Sequence, residues 1–364
     1  MRAVRDLLDA LDRIAPFSKA AGWDPVGLQL GDPDAELGTV GVAHELTDEV
    51  VEAVVERSVD TVVVYHPLVF DGLRRVVAGP GVPGRVHRLV AAGRSVVVVH
   101  TAFDVARGGT ADALAAALDL DAVRPFGPGW GAETVVVVTY VPDEFVDVVV
   151  EAMSRAGAGR IGAYEECSFR GPGTGTFRPG PGAAPTVGEV GRRNAEPEER
   201  LEMIAPASRR DEVVAALVDA HPYEEPAYHT IAVDANAGFI GRVGVRPDIA
   251  LGTFATAVAE RLETEPRVAG DLERPVARIA VVPGAGRSFV DDAAAVADVL
   301  VTGDVSHHAA RRALDRGLAV VDAGHIATER PGLRALYAAV GRIADDVVDL
   351  TDLDPGWKER RWRN

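Results

Sequence analysis

Four hydrophobic runs in this sequence end in groups able to bind cations or move protons. VVVYHP delivers Tyr65 and His66, and VVVVHTAFD delivers His100 and Asp104. VLVTGDVSHH delivers Asp304, His307 and His308, and VVDAGHIATE delivers Asp322, His325 and Glu329. Imidazole nitrogens and carboxylate oxygens together suit Zn, Mn, Fe or Co and serve thiolate-seeking metals poorly. His325 and Glu329 stand four residues apart, so a helix beginning there turns both to one side, where the carboxylate can bridge two ions. Two metals about 3.5–4 Å apart polarise a substrate oxygen and generate hydroxide near neutral pH. Any one of these histidines alone reads more simply as a hydrogen-bonded strand boundary. Their recurrence at four strand ends favours a shared ligand cluster.

For such groups to meet, the strands must share a rim. VGVAHEL, TVVVYHP and SVVVVHTAFD are short, continuous and β-branched, the pattern of strands buried on both faces. Helical patterns lie between them, at residues 47–58 after Thr47 and at 84–93 before Gly93. ARIAVVPG, ADVLVTGD and LAVVDAGH repeat the rhythm, with helices expected around 252–262, 288–296, 307–317 and 331–342. Alternation of this kind predicts an α/β fold with a mostly parallel, covered sheet whose carboxyl ends form the ligand-binding rim.

The rhythm breaks at the Pro/Gly-rich PFGPGWGA of residues 125–132 and again after residues 236–238. Between the breaks, TVVVVTYVP, EFVDVVVEAMSRAG, LEMIAP, RRDEVVAALVDAH and AYHTIAV read as β-α-β-α-β, the order of a small ferredoxin-like α+β module. The expected organisation is a discontinuous metal-binding domain, residues 1–131 and 236–364, with a guest at 132–235 in a surface loop. Within the guest, GPGTGTFRPGPGAAPTVG lacks the Gly-Lys-Ser/Thr of a phosphate loop and reads as a lid, with Arg170 and Arg178 able to meet an anion. HPYEEPAY reads as a rigid turn.

Composition excludes several classes. A formal charge of −17 and a pI near 5.0 oppose nucleic-acid and anionic-membrane partners, and the tail WKERRWRN, the one basic stretch, reads as a solvated end. The single Cys167 rules out an internal disulfide and a thiolate zinc site, as expected of a reducing cytoplasm. MRAVRDLLDALDRIA carries acids throughout and is an amphipathic helix, not a signal peptide. Ser306 lacks the Gly-x-Ser-x-Gly frame of a nucleophile elbow.

GWDPVGLQLG (22–31), YHPLVF (65–70), HTAFD (100–104), TGDVSHHAA (302–310) and DAGHIATE (322–329) resemble the NGG-one-interacting-factor-three-like family, also described as dinuclear-metal-centre hexameric proteins and as GTP cyclohydrolase I type 2 homologues. In the guest, GRIGAYEECSFRGPGTGTFRP and HPYEEPAY resemble the insert of the longer bacterial members. By position, the resemblance implies metal ligands at His66, Asp104, His325 and Glu329, with Glu329 bridging two divalent ions per chain. Tyr65 departs from the usual His-His-Pro, and a phenol is a poorer ligand than imidazole, so the expectation is that one of the two sites is weakened, completed by solvent, or rescued by His307, His308 or His44. Asp24 and His100 are candidates for contacts that orient ligands, and Asp24 reads equally as a loop anchor.

These readings lead to a cytoplasmic metal-dependent hydrolase whose resemblance implies GTP ring opening with formate release, on a small-molecule, nucleotide substrate. His100 and His308 are the candidate proton carriers. The alternatives are a non-catalytic metal-binding, regulatory or delivery protein, and hydrolysis of another phosphorylated or cyclic-amide substrate. The resemblance also implies a homohexamer.

Overall fold

A computed structural model describes residues 2–131, 134–161, 164–233 and 237–353; the tail WKERRWRN and the breaks at 132–133 and 234–236 lie outside the described residues. Backbone contacts divide the chain into two compact units, 1–131 with 238–364, and 132–237.

The first unit opens with α1 (Val4–Ile14), whose Val4, Leu7 and Leu11 recur at helical spacing and are buried. Then come β1 (Gly27–Leu30), β2 (Val40–Ala43), α2 (Asp48–Glu56), β3 (Thr61–Val64), α3 (Gly81–Ala91) and β4 (Ser95–Val98). The Thr47 hydroxyl accepts the Val50 N–H at 3.3 Å and starts α2. After β4 the chain turns at once into α4 (His100–Val105), followed by α5 (Thr110–Ala117) and β5 (Asp121–Trp130). The PFGPGWGA segment is therefore largely strand rather than seam. Its prolines fit because β5 has a partner along one side only and its register shifts twice.

The second unit runs β6 (Thr134–Val141), α6 (Val146–Arg155), β7 (Phe169–Phe177), β8 (Asn194–Pro206), α7 (Arg210–Ala220) and β9 (Tyr228–Val233). Its sheet is antiparallel throughout in the order β7-β8-β6-β9. The chain order is thus β-α-β-β-α-β, one strand more than the sequence pattern gave. The first half of the expected lid is β7, paired with β8 from Phe169↔Glu202 to Phe177↔Asn194. Glycine-rich segments read as loops because they lack strand propensity, and here β8 supplies the pairing that propensity does not.

The first unit resumes with β10 (Gly238–Ala250), α8 (Leu251–Leu262), β11 (Arg267–Ala269), β12 (Pro275–Ala285), α9 (Val290–Ala294), β13 (Val299–Gly303), α10 (His307–Asp315), β14 (Ala319–Asp322), α11 (His325–Val340) and β15 (Val347–Asp349). Its strands form two sheets and not the single mostly parallel one expected. In β1-β4-β3-β2-β15 only β1 is antiparallel. In β11-β14-β13-β12-β10-β5, a parallel centre of β14, β13 and β12 is flanked by antiparallel strands. Valine runs report that both faces are covered; they carry no record of which strands are neighbours.

The covering follows the two-residue period of a strand. Val62 and Val64 pack against Val50 and Val54 of α2 and Leu89 of α3, while Val63 packs with Leu7 of α1 and Leu333 and Leu336 of α11. In the second sheet Val299 and Val301 meet Phe254 of α8, and Leu300 meets Val290 of α9. Helix α11 serves both sheets: its Ala327 belongs to the core of the second, its Leu333, Leu336 and Val340 to that of the first. The N-terminal turn of α11 is thereby held where the strand ends of both sheets converge.

Candidate metal centre

Three neighbouring parallel strands each leave an imidazole at one rim. Ala43 pairs with Val64 and Val64 with Val98, and the ladder continues past the strand ends through His66 N–H to His44 C=O at 2.9 Å and His100 N–H to Tyr65 C=O at 3.0 Å. His44, Tyr65, His66 and His100 are consequently adjacent: the His66 ring centroid lies 4.7 Å from that of His44 and 4.9 Å from those of Tyr65 and His100.

From the other side, α11 contributes His325 and Glu329 on one face, since the helix begins at His325 and not at residue 331 as expected. Glu329 is 3% exposed, and its two oxygens look in different directions. Oε2 lies 2.9 Å from His44 Nε2 and 3.3 Å from His66 Nε2; Oε1 lies 3.0 Å from His325 Nε2. The other nitrogen of His325, Nδ1, is 2.7 Å from Oδ2 of Asp304, which fixes the ring. Asp304 sits at φ +56, a left-handed conformation that Asp tolerates at a tight turn. Thr328 holds the turn opposite, its hydroxyl accepting the Gly284 N–H at 3.0 Å.

Asp24 contacts both the His100 ring and the backbone at the start of α4. Its Oδ1 is 3.0 Å from His100 Nδ1, and its Oδ2 accepts the Thr101 N–H at 3.0 Å at the start of α4. The buried Tyr65 does not offer its oxygen to the histidines; its hydroxyl donates to Asp104 Oδ1. Helix α4, which carries His100 and Asp104, is tied at its C-terminal end by the buried Arg242, whose Nη2 donates to Val105 C=O at 3.2 Å.

Burial shapes the charges. It would push Glu329 up, but hydrogen bonds from His325, His44 and His66 outweigh it and hold the carboxyl well below its ordinary range. Burial would lower His325, yet Glu329 and Asp304 raise it to about 9. His66 is lowered because burial outweighs its contact with Glu329. His100 is raised, burial being overcome by Asp24 and Asp104. Burial lifts Asp104 to about 6 against the opposing pull of His100, and Glu329 adds to the lift by repulsion. The Tyr65 phenol is driven up by burial and by Asp104, so it remains a proton donor.

The donor set fits a divalent cation. His44, His66 and Glu329 each place a ligand atom within 4.8 Å of the others. Two buried carboxyl groups that repel each other gain from a positive charge among them. Space is kept for it as well: a Cβ on Gly284, at φ +64, would lie 2.5 Å from Glu329 Oε1 and 3.3 Å from His325 Nε2.

Of the four ligands named from sequence, His66, His325 and Glu329 meet directly, and Asp104 stands beside them, bound to Tyr65. His44 takes the place the sequence reading left undecided. Its signal was the strand-end pattern it shares with His66 and His100. His307 and His308 sit exposed at the start of α10 with their rings against each other at 5.6 Å; among the described residues no hydrogen bond, ion pair or ring contact joins either to the cluster. His308 is thus not placed as a proton carrier. Asp322 is a structural anchor, accepting the Val305 and Gly324 N–H groups, each at 3.2 Å.

A family model described as Duf34/NIF3 (NGG1p interacting factor 3) matches residues 2–351. The chain belongs to this family. Among Duf34/NIF3 relatives, the GTP cyclohydrolase 1 type 2 homolog of Mycobacterium tuberculosis is 41% identical over 339 residues, covering 90% of this chain and 88% of that protein. A crystal structure of a Bacillus cereus protein related to NIF3 matches with a TM-score of 0.63 at 32% identity over 95% of both chains. A Staphylococcus aureus structure matches with a TM-score of 0.73 at 27% identity over 97% of both chains. The Duf34/NIF3 match spans both units, so the insertion falls within the matched region. No helix among the described residues is long and apolar enough to cross a membrane.

Proposed function

We propose that this Duf34/NIF3 protein is a metal-dependent hydrolase with a dinuclear centre, and that GTP ring opening with formate release is its reaction. The observation that carries the reading is the division of Glu329 between two imidazole groups, Oε2 toward His44 and His66 and Oε1 toward His325. One oxygen per ion is what a bridging carboxylate offers. The similarity to the GTP cyclohydrolase 1 type 2 homolog of M. tuberculosis suggests the substrate.

In this proposal His44 and His66 would hold one ion and His325 the other, with Asp104 and Glu329 supplying negative charge. Bound divalent cations, of Zn, Mn, Fe or Co, contribute Lewis acidity and a lowered pKa for water. The chain's own residues do the rest. Asp304 fixes His325 so that Nε2 faces inward. His100, with Nδ1 engaged by Asp24, keeps Nε2 to hold a proton, and the raising of its pKa by Asp24 and Asp104 favours the protonated form that a general acid requires. A cytoplasmic homohexamer belongs to the same proposal and is read by native mass measurement.

The test is formate release from GTP by the chain reconstituted with each of the four metals. Formate formed in step with GTP loss, and abolished in Glu329→Gln, supports the reading. Stoichiometric metal with GTP and other cyclic-amide or phosphorylated substrates intact overturns it in favour of metal binding or delivery.

A further inference from the structure

Two segments prominent in the sequence, the glycine-rich 171–177 and the 221–227 turn, have no part in the metal centre. They meet in the second unit, where they help enclose a cavity of about 870 Å³, within the range of small-molecule sites.

Its floor is the face of the sheet turned away from α6 and α7. Val137, Leu201 and Met203 point to the helices, so their neighbours in sequence point the other way. On that other face Tyr140 pairs with Arg200, Arg200 with Gly171, and Glu198 with Gly173. Gly171, Gly173 and Gly175 alternate along β7 and present bare backbone. None of the three has the left-handed φ that demands glycine; a Cβ at Gly171 or Gly173 would meet nothing closer than 3.7 Å, whereas one at Gly175 would collide with the Glu198 carboxylate, which lies over that end of the strand. Backbone conformation therefore does not explain them. Glycine in a strand interior weakens it and marks a place where another group approaches closely. The missing side chains of Gly171 and Gly173 leave a flat slot between aromatic walls, with the Glu198 carboxylate over Gly175 at its end.

The walls are built and pinned. The Tyr223 hydroxyl donates to Glu198 Oε1 at 2.9 Å, and the rings of Phe177 and Tyr223 lie 6.3 Å apart. The strap after β7 is fastened over the slot by the Ala184 N–H to Glu224 at 2.9 Å and the Thr186 hydroxyl to Pro222 C=O at 2.6 Å. His221 braces the turn, its Nδ1 accepting the Tyr223 N–H at 3.0 Å and its Nε2 donating to Tyr140 C=O at 3.0 Å.

The polar groups select the occupant. Arg200 is engaged by Glu202 at 2.7 Å and by the Tyr140 hydroxyl at 3.2 Å. Glu198 accepts one hydrogen bond, on Oε1, and among the described residues none is recorded to Oε2. A carboxylate accepts several hydrogen bonds and donates none, so it calls for a ligand N–H. The surrounding rings call for a flat one.

We propose that this cavity binds a planar heterocycle bearing an exocyclic amino group, laid on the glycine floor and read by Glu198. All residues that line the cavity belong to the second unit.

Titration calorimetry of the full chain in EDTA, with adenosine, guanosine and cytidine as probes, tests it. At least one binds, and its counterpart without the amino group, purine riboside for adenosine, inosine for guanosine and 2-pyrimidinone riboside for cytidine, binds at least tenfold more weakly. Gly173→Val fills the slot with a residue that strands favour, so affinity falls at least tenfold while the unfolding midpoint holds or rises. Glu198→Gln levels the preference for the amino compound, and Glu329→Gln binds as the parent does. The proposal is overturned if no probe binds, if the amino-free counterpart binds equally well, or if affinity survives in both Gly173→Val and Glu198→Gln.

Discussion

Replacing Glu329 by Gln keeps the shape of the side chain and removes its charge. In the metal-free protein two effects oppose each other: three imidazoles lose a charged acceptor, and Asp104 loses a repelling neighbour. Breaking a buried ion pair costs about 3–5 kcal/mol, and relief of the repulsion returns part of it, so a net loss of about 1–3 kcal/mol is expected. The decisive quantity is the response to metal. A ligand at 100 times its Kd stabilises the folded state by about 2.7 kcal/mol. For a unit of about 250 residues each kcal/mol moves the melting temperature by about 2–4 °C, so saturating metal should raise the parent by roughly 5–10 °C. Thermal unfolding with and without Zn or Mn measures this directly. Glu329→Gln should show almost none of that rise, and His308→Ala, altered outside the cluster, should show all of it. A rise in Glu329→Gln equal to that of the parent would refute the assignment of this carboxylate.

Metal affinity should strengthen as pH increases toward 9, because His325, with a pKa of about 9, must release a proton before its Nε2 can coordinate; the logarithm of the binding constant, measured by competition with a chelator, should rise by about one per pH unit between that value and about 6, where Asp104 also takes up a proton. Arg242→Met should lower stability by about 3–5 kcal/mol in denaturant titration, since it leaves Asp112 and the carbonyl of Val105 without the buried guanidinium that joins them. Removal of residues 132–237 with a short glycine-containing turn in their place should leave the metal response of the first unit intact, because Trp130 and Gly238 are already paired neighbours across β5 and β10; loss of the response in a folded deletion variant would show that the guest contributes to the site.

What could be read from the sequence follows from what each signal encodes. Convergence at the rim was legible at His66, His100, His325 and Glu329 because each reactive group lies within four residues of the end of a short valine run or one helical turn beyond such a group. His44 stands alone after VGVA, and only its register beside His66 distinguishes it from an ordinary boundary residue. The role of Asp304 depends on a left-handed turn and a ring contributed by another element, neither of which has a local signature. Strand β10 escaped notice because its valines are interrupted by Arg242, Gly244 and Arg246, and β5 because Pro125, Gly127, Pro128 and Gly129 resemble a linker. Both are strands because they pair with each other, a non-local cause.

The same non-local cause governs the metal centre. Histidines at the rim of the first sheet are fixed by the β2-β3-β4 ladder, whereas His325 and Glu329 are fixed by α11, whose start follows a strand of the second sheet and whose later turns pack on the first. Gly332 permits the close approach this requires, since a Cβ there would lie 2.5 Å from the Thr110 side chain on α5. The ligand set is therefore complete only when both sheets have closed around one helix. A cation that needs all of these groups binds the closed arrangement and not its separated parts, so its binding energy is stability of the whole first unit. The thermal response to metal thus reports on the assembly of the two sheets as much as on any single ligand.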